Sequence, residues 1–489
     1  MSTPLADRHA AALAVLDACG QAHVLKHYDS LDDAQRDALL HEIENIDWPE
    51  VARLIETHVK QKPEFKLSDN LEPAPWYPHH PPADLQPRYD RARTLGEQMI
   101  RSGKVAAFTV AGGQGTRLGW DGPKGTFPAT PIRGAMLFQC FADYLHKARE
   151  KFGHAVPWYV MTSPINDAAT RQCFADHDHF GCDPADVMIF PQAMMPAIDM
   201  QTHRVLLESP SALALSPNGH GGSLKALWTS GAIADMKTRG VEQISYTQVD
   251  NPTVRMVDPL FLGLHAMDEA QMSSKMLPKA YAKEKLGNFC LADGKMTVIE
   301  YSNLPDELAE QTVSGGADDG ELRFRAGSIA LHAIRVDFVE QINTSPEGFS
   351  LPFNRAEKKV KYYDEAAGQT VTPSTPNAVK LETFVFDALP MCDDSIIYET
   401  DRVDEFAPIK NADAAPGQDD APDSPASSKK LQTERAVRWL ESHGVEVPRD
   451  DHGRVRAVIE IQQTTAIYPD DLKDIELPVR VEPDASLLL

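Results

Sequence analysis

The spacing of apolar residues changes character along this chain, and the change divides it. Near the start, Ala12, Val15, Leu16 and Cys19 fall at i, i+3, i+4 and i+7, one face of a helix. Ser30 followed by Asp33 resembles a capping box, and Leu39, Ile43 and Ile46 continue a helical stripe. The proline-rich stretch 73–87 predicts extended chain, and a helix is expected from about Tyr89 to Ser102. From Lys104 the pattern becomes strand, loop, helix. Apolar runs at Val105–Val110, Trp158–Thr162, Val187–Phe190 and Gln243–Val249 alternate with helical segments at Met136–Lys151, Asp167–Asp176 and Ser223–Lys237. Such alternation predicts an α/β fold, a mainly parallel sheet with helices on both faces and ligands at the strands' carboxyl ends. Residues 290–335 carry stronger β signals around an Asp293-Gly294 turn and predict an antiparallel insertion over the site. Residues 411–430, rich in Ala, Pro, Asp and Ser, predict a flexible loop. A helix at Leu431–Ser442 and strands from Val455 onward follow. The expected division is an N-terminal helical region 1–100, a catalytic domain 101–390 and a small β-containing C-terminal domain 391–489.

Composition narrows the class. The chain has 489 residues and a formal net charge of -24, which opposes binding to nucleic acid or to an anionic membrane surface. A local cluster of cations and N–H groups could still hold an anionic small molecule. Six cysteines without C-x-x-C spacing predict neither a disulfide scaffold nor a thiolate metal site, and a reducing cytoplasm is the simplest setting. No stretch approaches the ~20 apolar residues of a membrane span, and no secretory leader is expected at the N-terminus.

The most informative string runs Ala111-Gly112-Gly113-Gln114-Gly115-Thr116-Arg117-Leu118-Gly119, then Pro123-Lys124-Gly125. Consecutive glycines after a buried strand let the backbone approach a ligand and offer N–H groups to it. Arg117 and Lys124 add two cations, suited to a triphosphate and to charge growing on departing pyrophosphate. The string lacks the third glycine of the dinucleotide fingerprint, and Lys124 is not followed by the Ser or Thr of a Walker loop. Taken alone, a glycine-rich structural turn with incidental cations stays open.

The full string resembles the signature of the eukaryotic-type UDP-sugar pyrophosphorylases, and its spacing resembles the UDP-N-acetylglucosamine pyrophosphorylase branch. Further segments match in order: Pro157–Ser163, Gln192–Ala197, Ser216–Gly222, Val249–Asn251, Val298–Ser302, Ala326–Ala330, Lys380–Asp387 and Pro408–Asp413. The resemblance covers nearly the whole chain. It implies a GT-A-like, Rossmann-type mixed sheet, a magnesium (Mg2+) cofactor, and UTP and a sugar 1-phosphate as substrates. It implies that Asp250 binds the metal together with phosphate oxygens. Gln192 would read the uracil edge, and the backbone of Ala111, Gly112, Gly113, Gly115 and Gly219 would cradle the nucleotide. Glu300 and Tyr301 would hold the sugar, while Lys380 and Lys410 would contact phosphate, with Arg117, Lys124 and Lys410 stabilising charge in the reaction. Alternation along a strand puts Glu300 and Tyr301 on opposite faces, so both serve one sugar only if the strand bends or ends there.

Two sugar-pocket positions depart from the N-acetylglucosamine pattern. That branch reads Gly-Asn-Gly-Gly where this chain has Gly219-His220-Gly221-Gly222, and Ser328 stands where the family has Asn. The Gly-His-Gly core resembles UDP-glucose and broad-specificity enzymes. One polar partner lost can shift sugar preference by ~1–3 kcal/mol. A UTP–glucose-1-phosphate or broad UDP-sugar enzyme is therefore the rival within the same chemistry. Outside it stand a non-catalytic nucleotide-sugar binding protein and an NAD-dependent oxidoreductase. Oligomeric state is not readable from the sequence.

Overall fold

The computed structural model describes every residue except 1–3, 64, 316–319, 347, 348, 350, 416 and 419. Two compact units share the chain. One comprises Met1–Lys66, Gln192–Ala226 and Ser350–Asp387; the other Leu67–Pro191, Leu227–Phe349 and Ala388–Leu489.

The larger unit is organised by a ten-stranded sheet. Its strands are β1 (Leu71–Pro73), β2 (Val105–Val110), β3 (Trp158–Thr162), β4 (Val187–Pro191), β5 (Gln243–Gln248), β6 (Met272–Pro278), β7 (Gly287–Ala292), β8 (Lys295–Ile299), β9 (Ala326–Arg335) and β10 (Ile397–Glu399). The path runs β1-β7-β9-β5-β2-β3-β4, with β8 on β7, β6 on β9, and β10 on β6. The run β5-β2-β3-β4 is parallel. Every residue of β3 is buried, and so is β2 up to Val110, as covered faces require. At β9 the sheet reverses, because β9 runs antiparallel to β5 and again to β7. The expected insertion at 290–335 is thus the antiparallel half of the same sheet, joined through Gly287 opposite Ser328. Its β7–β8 hairpin turns on Asp293 and Gly294, both left-handed at φ 50° and 78°, the geometry that matches strand twist.

Behind the sheet, helices Gln86–Arg101 and Pro259–Met267 approach at glycines. A Cβ on Gly96 would lie 1.8 Å from the Pro259 carbonyl oxygen, and one on Gly263 1.7 Å from that of Ala92. From the second helix His265 projects into the core at 0% exposure. Its Nδ1 lies 2.6 Å from Ser273 Oγ and its Nε2 2.9 Å from Gln243 Oε1. Since the amide oxygen only accepts, Nε2 carries the proton, and burial pushes the imidazole pKa down to about 3.

Toward the C-terminus, the expected loop 411–430 is helical from Pro425. Ser424 and Ser427 form a reciprocal cap, and proline at the first position starts helix Pro425–Ser442. Residues 416 and 419 of that loop lie outside the described ones. Trp439 and Leu440 then pack with Ile459 and Leu472 beside a parallel pair, Ala457–Glu460 and Ala485–Leu488.

The smaller unit gathers the N-terminal helices on strands from two later segments. Leu16, Leu39, Leu40, Trp48 and Leu54 share one core with Ile198, Leu213, Val379 and Leu381. The strands are Ile198–Asp199, Ala378–Thr383 and Phe353–Lys358, in one antiparallel sheet. The capping box here is Asp32 with Gln35, two residues beyond the expected Ser30 and Asp33, and it opens helix Asp33–Glu44. In the larger unit, the helix expected unbroken over Ser223–Lys237 is interrupted before Ala232 by Gly231 at φ 82°. Among the described residues no helix is long and apolar enough to cross a membrane.

Two outcomes follow. Gly263→Ala forces two helix backbones apart and lowers stability by about 3 kcal/mol or more, read as a shift of the denaturant midpoint. The neutral His265 makes the larger unit acid-sensitive. The unfolded chain takes this proton first, so the stabilisation is complete above about pH 6.5 and declines as pH falls, by ~2 kcal/mol at pH 5. His265→Gln, which cannot titrate, shows a shallower slope over that range in denaturant melts.

Candidate functional site

In the larger unit, strand register brings one group of candidate residues together. β2 and β5 pair in parallel with Val110 opposite Gln248, so both chains leave the sheet together. After β2 comes the glycine loop; after β5 come Val249, Asp250 and Asn251. Lys124 reaches back across this edge, its Nζ 3.9 Å from Asp250 Oδ2, with both side chains mostly buried. It arrives there because the loop folds on itself. Lys124 N–H donates to the Gly113 carbonyl at 3.1 Å and Gly115 N–H to that of Gly122 at 2.9 Å. Gly125 packs against Phe138, where a Cβ would lie 2.1 Å from the ring.

Lys410 is delivered to the same edge by chain 405–409, which is laced to 250–251. Asn251 Nδ2 donates to the Glu405 carbonyl at 2.6 Å, Ala407 N–H to Asn251 Oδ1 at 3.2 Å, and Ile409 N–H to the Asp250 carbonyl at 2.8 Å. Glu405 is itself clamped by buried Lys275, whose Nζ lies 2.7 Å from both its oxygens and 2.7 Å from Asp258 Oδ2. Lys410 Nζ sits 5.6 Å from the centre of the Phe406 ring.

The surrounding charges act on Lys124. Burial pushes the Lys124 pKa down; Asp250 opposes that, Lys410 and Arg117 add to it, and Asp423 opposes it again. Two cations and two carboxylates therefore act on Lys124 here. Arg117, on the short turn Thr116–Leu118, is exposed. Asp423 escaped the sequence reading because it lies in a segment that reads only as acidic loop. Its carbonyl accepts N–H groups from Lys410 and Asn411 at 2.6 and 2.9 Å, and burial raises its carboxyl pKa while Lys410 lowers it.

Glu300, Tyr301 and Ser328 belong to the antiparallel half. β8 ends at Ile299, and Glu300 opens a turn whose carbonyl accepts Asn303 N–H at 2.8 Å. The condition under which both Glu300 and Tyr301 can serve one ligand is met. Burial raises the Glu300 carboxyl pKa, and Tyr301 is 45% exposed. Ser328 pairs with Gly287, and a Cβ on Gly287 would stand 2.6 Å from Val298 and 3.6 Å from Glu300 Oε1. Gly287 was not singled out in the sequence, where a lone glycine in a strand carries little signal.

Gln192, Gly219, His220 and Lys380 lie in the smaller unit. Strands Met194–Pro196 and Leu215–Pro217 pair antiparallel, and Asn218 N–H continues the ladder to the Ala193 carbonyl at 3.3 Å, bringing Gln192 opposite Gly219. Gln192 is 6% exposed, and its buried Oε1 has no hydrogen-bond partner among the described residues. A buried amide oxygen without a partner is costly and can accept a further N–H or O–H, from water or from a ligand. The glycine turn clasps Thr383: Gly219, at φ 85°, leaves no room for a side chain, since a Cβ would lie 2.3 Å from the Thr383 carbonyl oxygen. His220 Nδ1 accepts Val385 N–H at 3.1 Å, and its ring stacks on Phe384 at 5.2 Å. Burial lowers its pKa to about 4, so Nε2–H is the one polar position left to it near neutral pH. Lys380 is half-buried on strand Ala378–Thr383.

Could a metal be held? Among the described residues no cluster of three or more His, Cys, Asp or Glu offers a metal cage. Asp250 provides one carboxylate, the donor number that suits an ion carrying most of its shell from phosphates and water. The residues present therefore fit an ion that arrives with a nucleotide.

Comparisons with known proteins agree with this chemistry. Residues 56–416 match the family described as UTP–glucose-1-phosphate uridylyltransferase. A Xenopus tropicalis protein, UDP-N-acetylhexosamine pyrophosphorylase-like protein 1, is 33% identical over 93% of this chain and 91% of its own length. UDP-N-acetylglucosamine diphosphorylase 2 of Arabidopsis thaliana is 32% identical over 90% of this chain and 86% of its own. The crystal structure of the UDP-N-acetylglucosamine pyrophosphorylase of Trypanosoma brucei shares the fold, with a TM-score of 0.80, 24% identity, and coverage of 100% of this chain and 99% of that one. The family match across most of the sequence leads to one conclusion: the chain belongs to the UTP–glucose-1-phosphate uridylyltransferase family and is an enzyme that joins UTP to a sugar 1-phosphate, giving a UDP-sugar and pyrophosphate.

Proposed function

We propose that the sugar is N-acetylglucosamine 1-phosphate and that Mg2+ is the metal, held by Asp250 and the phosphates. The observation that carries the catalytic assignment is the Lys124–Asp250 pair at the sheet's carboxyl edge, with Lys410, Arg117 and Asp423 acting on it. The names of the relatives that match along nearly the whole chain support the sugar.

In this reading a phosphate oxygen of the sugar 1-phosphate attacks the α-phosphorus of UTP. The new P–O bond forms in line with the one that breaks, and pyrophosphate departs. A phosphate dianion is already nucleophilic, so no general base is required, and no His or Cys is assigned a catalytic role. The chain's contribution is positioning and charge neutralisation. The loop amides of residues 111–115 hold phosphate oxygens, Lys124 and Arg117 take up charge on the leaving pyrophosphate, and Lys410 attends the α-phosphorus. Bound Mg2+ would supply Lewis-acid neutralisation of the phosphates. Gln192 reads uracil through an amide that both donates and accepts, aided by the Gly219 backbone, while Lys380 contacts phosphate. Glu300 and Tyr301 bind sugar hydroxyls, with Ser328 and the Nε2–H of His220 as weaker polar partners.

Lys124→Ala lowers kcat about 10²- to 10³-fold without changing the thermal midpoint. Parent-rate product formation by this variant would remove the phosphate role. Pyrophosphate release measured with N-acetylglucosamine 1-phosphate, glucose 1-phosphate and galactose 1-phosphate ranks the first highest; a preference for glucose 1-phosphate would overturn the sugar assignment. Ser328→Asn raises kcat/KM for the N-acetyl sugar by about fivefold or more and leaves glucose 1-phosphate within about twofold.

A further inference from the structure

Asn166 follows β3 and directly precedes helix Asp167–Asp176, the position where an Asn side chain ordinarily accepts N–H groups of the first helical turn. It does not do so here; its side chain makes no cap bond. Instead the fully buried amide turns toward the glycine loop. Asn166 Nδ2 donates to the carbonyl of Ala111 at 2.9 Å and to that of Gly113 at 3.1 Å. Its Oδ1 accepts from Ser163 N–H at 2.8 Å and lies 3.1 Å from Ser163 Oγ, which donates to the Gly112 carbonyl at 2.9 Å. Three consecutive carbonyls are thus engaged by two side chains.

The consequence lies in the peptide planes. In a trans peptide the carbonyl and the following N–H point in opposite directions. Fixing the carbonyls of Ala111, Gly112 and Gly113 toward Asn166 and Ser163 therefore fixes the N–H groups of Gly112, Gly113 and Gln114 away from them. A Cβ built on Gly113 would meet nothing within 4 Å, so this stretch has open space beside it. A glycine loop left to itself would sample many plane orientations and would lose that freedom on binding.

We propose that Asn166, assisted by Ser163, is a positioning residue for uridylyl transfer, presetting the row of amides that receives UTP. The forgone helix cap is the second sign of this use, since the side chain gives up a stabilising role at its own helix to serve the loop. The proposal rests on the reading of this loop as the nucleotide site.

Asn166→Ser separates positioning from stability. Serine is a good helix cap but is too short to reach both carbonyls. The thermal midpoint of this variant stays equal to or above the parent's, while calorimetric Kd for UTP in magnesium buffer weakens at least about tenfold and KM for the sugar 1-phosphate stays within about twofold. Ser163→Ala gives a smaller loss of about threefold, in the same direction. UTP affinity unchanged in Asn166→Ser, or both substrates weakened equally, overturns the proposal. Gly113→Ala is the companion variant, because its methyl group has room in the protein but intrudes where the nucleotide would lie. If Gly113→Ala binds UTP as the parent does, the loop assignment falls and this inference with it. If Gly113→Ala loses UTP and Asn166→Ser does not, only the role of Asn166 falls.

Discussion

The parallel pairing of β2 with β5 is the constraint on which the meeting of Lys124 with Asp250 depends. With Val110 set against Gln248, the glycine loop and Asp250 leave the sheet at the same level, and Lys124 Nζ lies 3.9 Å from Asp250 Oδ2. A slip of one residue would turn the side chains of β5 to the opposite face and carry Asp250 with them. Burial of both faces is what forbids the slip, and the helix pair crossing at Gly96 and Gly263 belongs to the same packed layer. The close helix contact and the strands that lead to the glycine loop and Asp250 share one hydrophobic core.

Around that edge the protein gathers like charges before any substrate supplies the opposite ones. Lys410 and Arg117 work against the charge on Lys124, while Asp250 and Asp423 favour it. The main chain carries much of the restraint. Lys410 is held through its neighbour's N–H on the Asp250 carbonyl and its own on the Asp423 carbonyl, and Glu405, which begins this stretch, is fixed by buried Lys275. A buried ion pair is a poor source of net stability but a good fastener, because breaking it leaves a stranded charge. The same economy holds at the glycine loop, where Ser163 and Asn166 arrange amides that the loop could not arrange alone. Catalysis by positioning needs such supports more than it needs acids and bases.

Much of this was legible from local pattern. Strands at 105–110 and 158–162 and the helix at 167–176 stand where the apolar periodicity puts them. Misreadings arose where two local signals competed. Ser30 and Asp33 have the residue types of a capping box, but Asp32 and Gln35 close it, because the helix begins two residues later, at Asp33. The segment 411–430 reads as loop by composition, yet Pro425 after a capping Ser424 begins a helix. Gly231 breaks a periodic run that looks continuous.

The sequence by itself determined the chemistry on offer: a glycine loop after a buried strand, cations at Arg117, Lys124 and Lys410, and an acid at Asp250 just after a later strand. These signals are local, since glycine, charge and apolar period act within a few residues. Tertiary structure alone decided which distant groups meet. It placed Asp423 beside Lys410, turned Asn166 from its own helix to the loop, stacked His220 on Phe384, and assembled the N-terminal helices with strands from 192–226 and 350–387. Such meetings depend on register and close packing between segments far apart in the chain, and no window of sequence contains both partners.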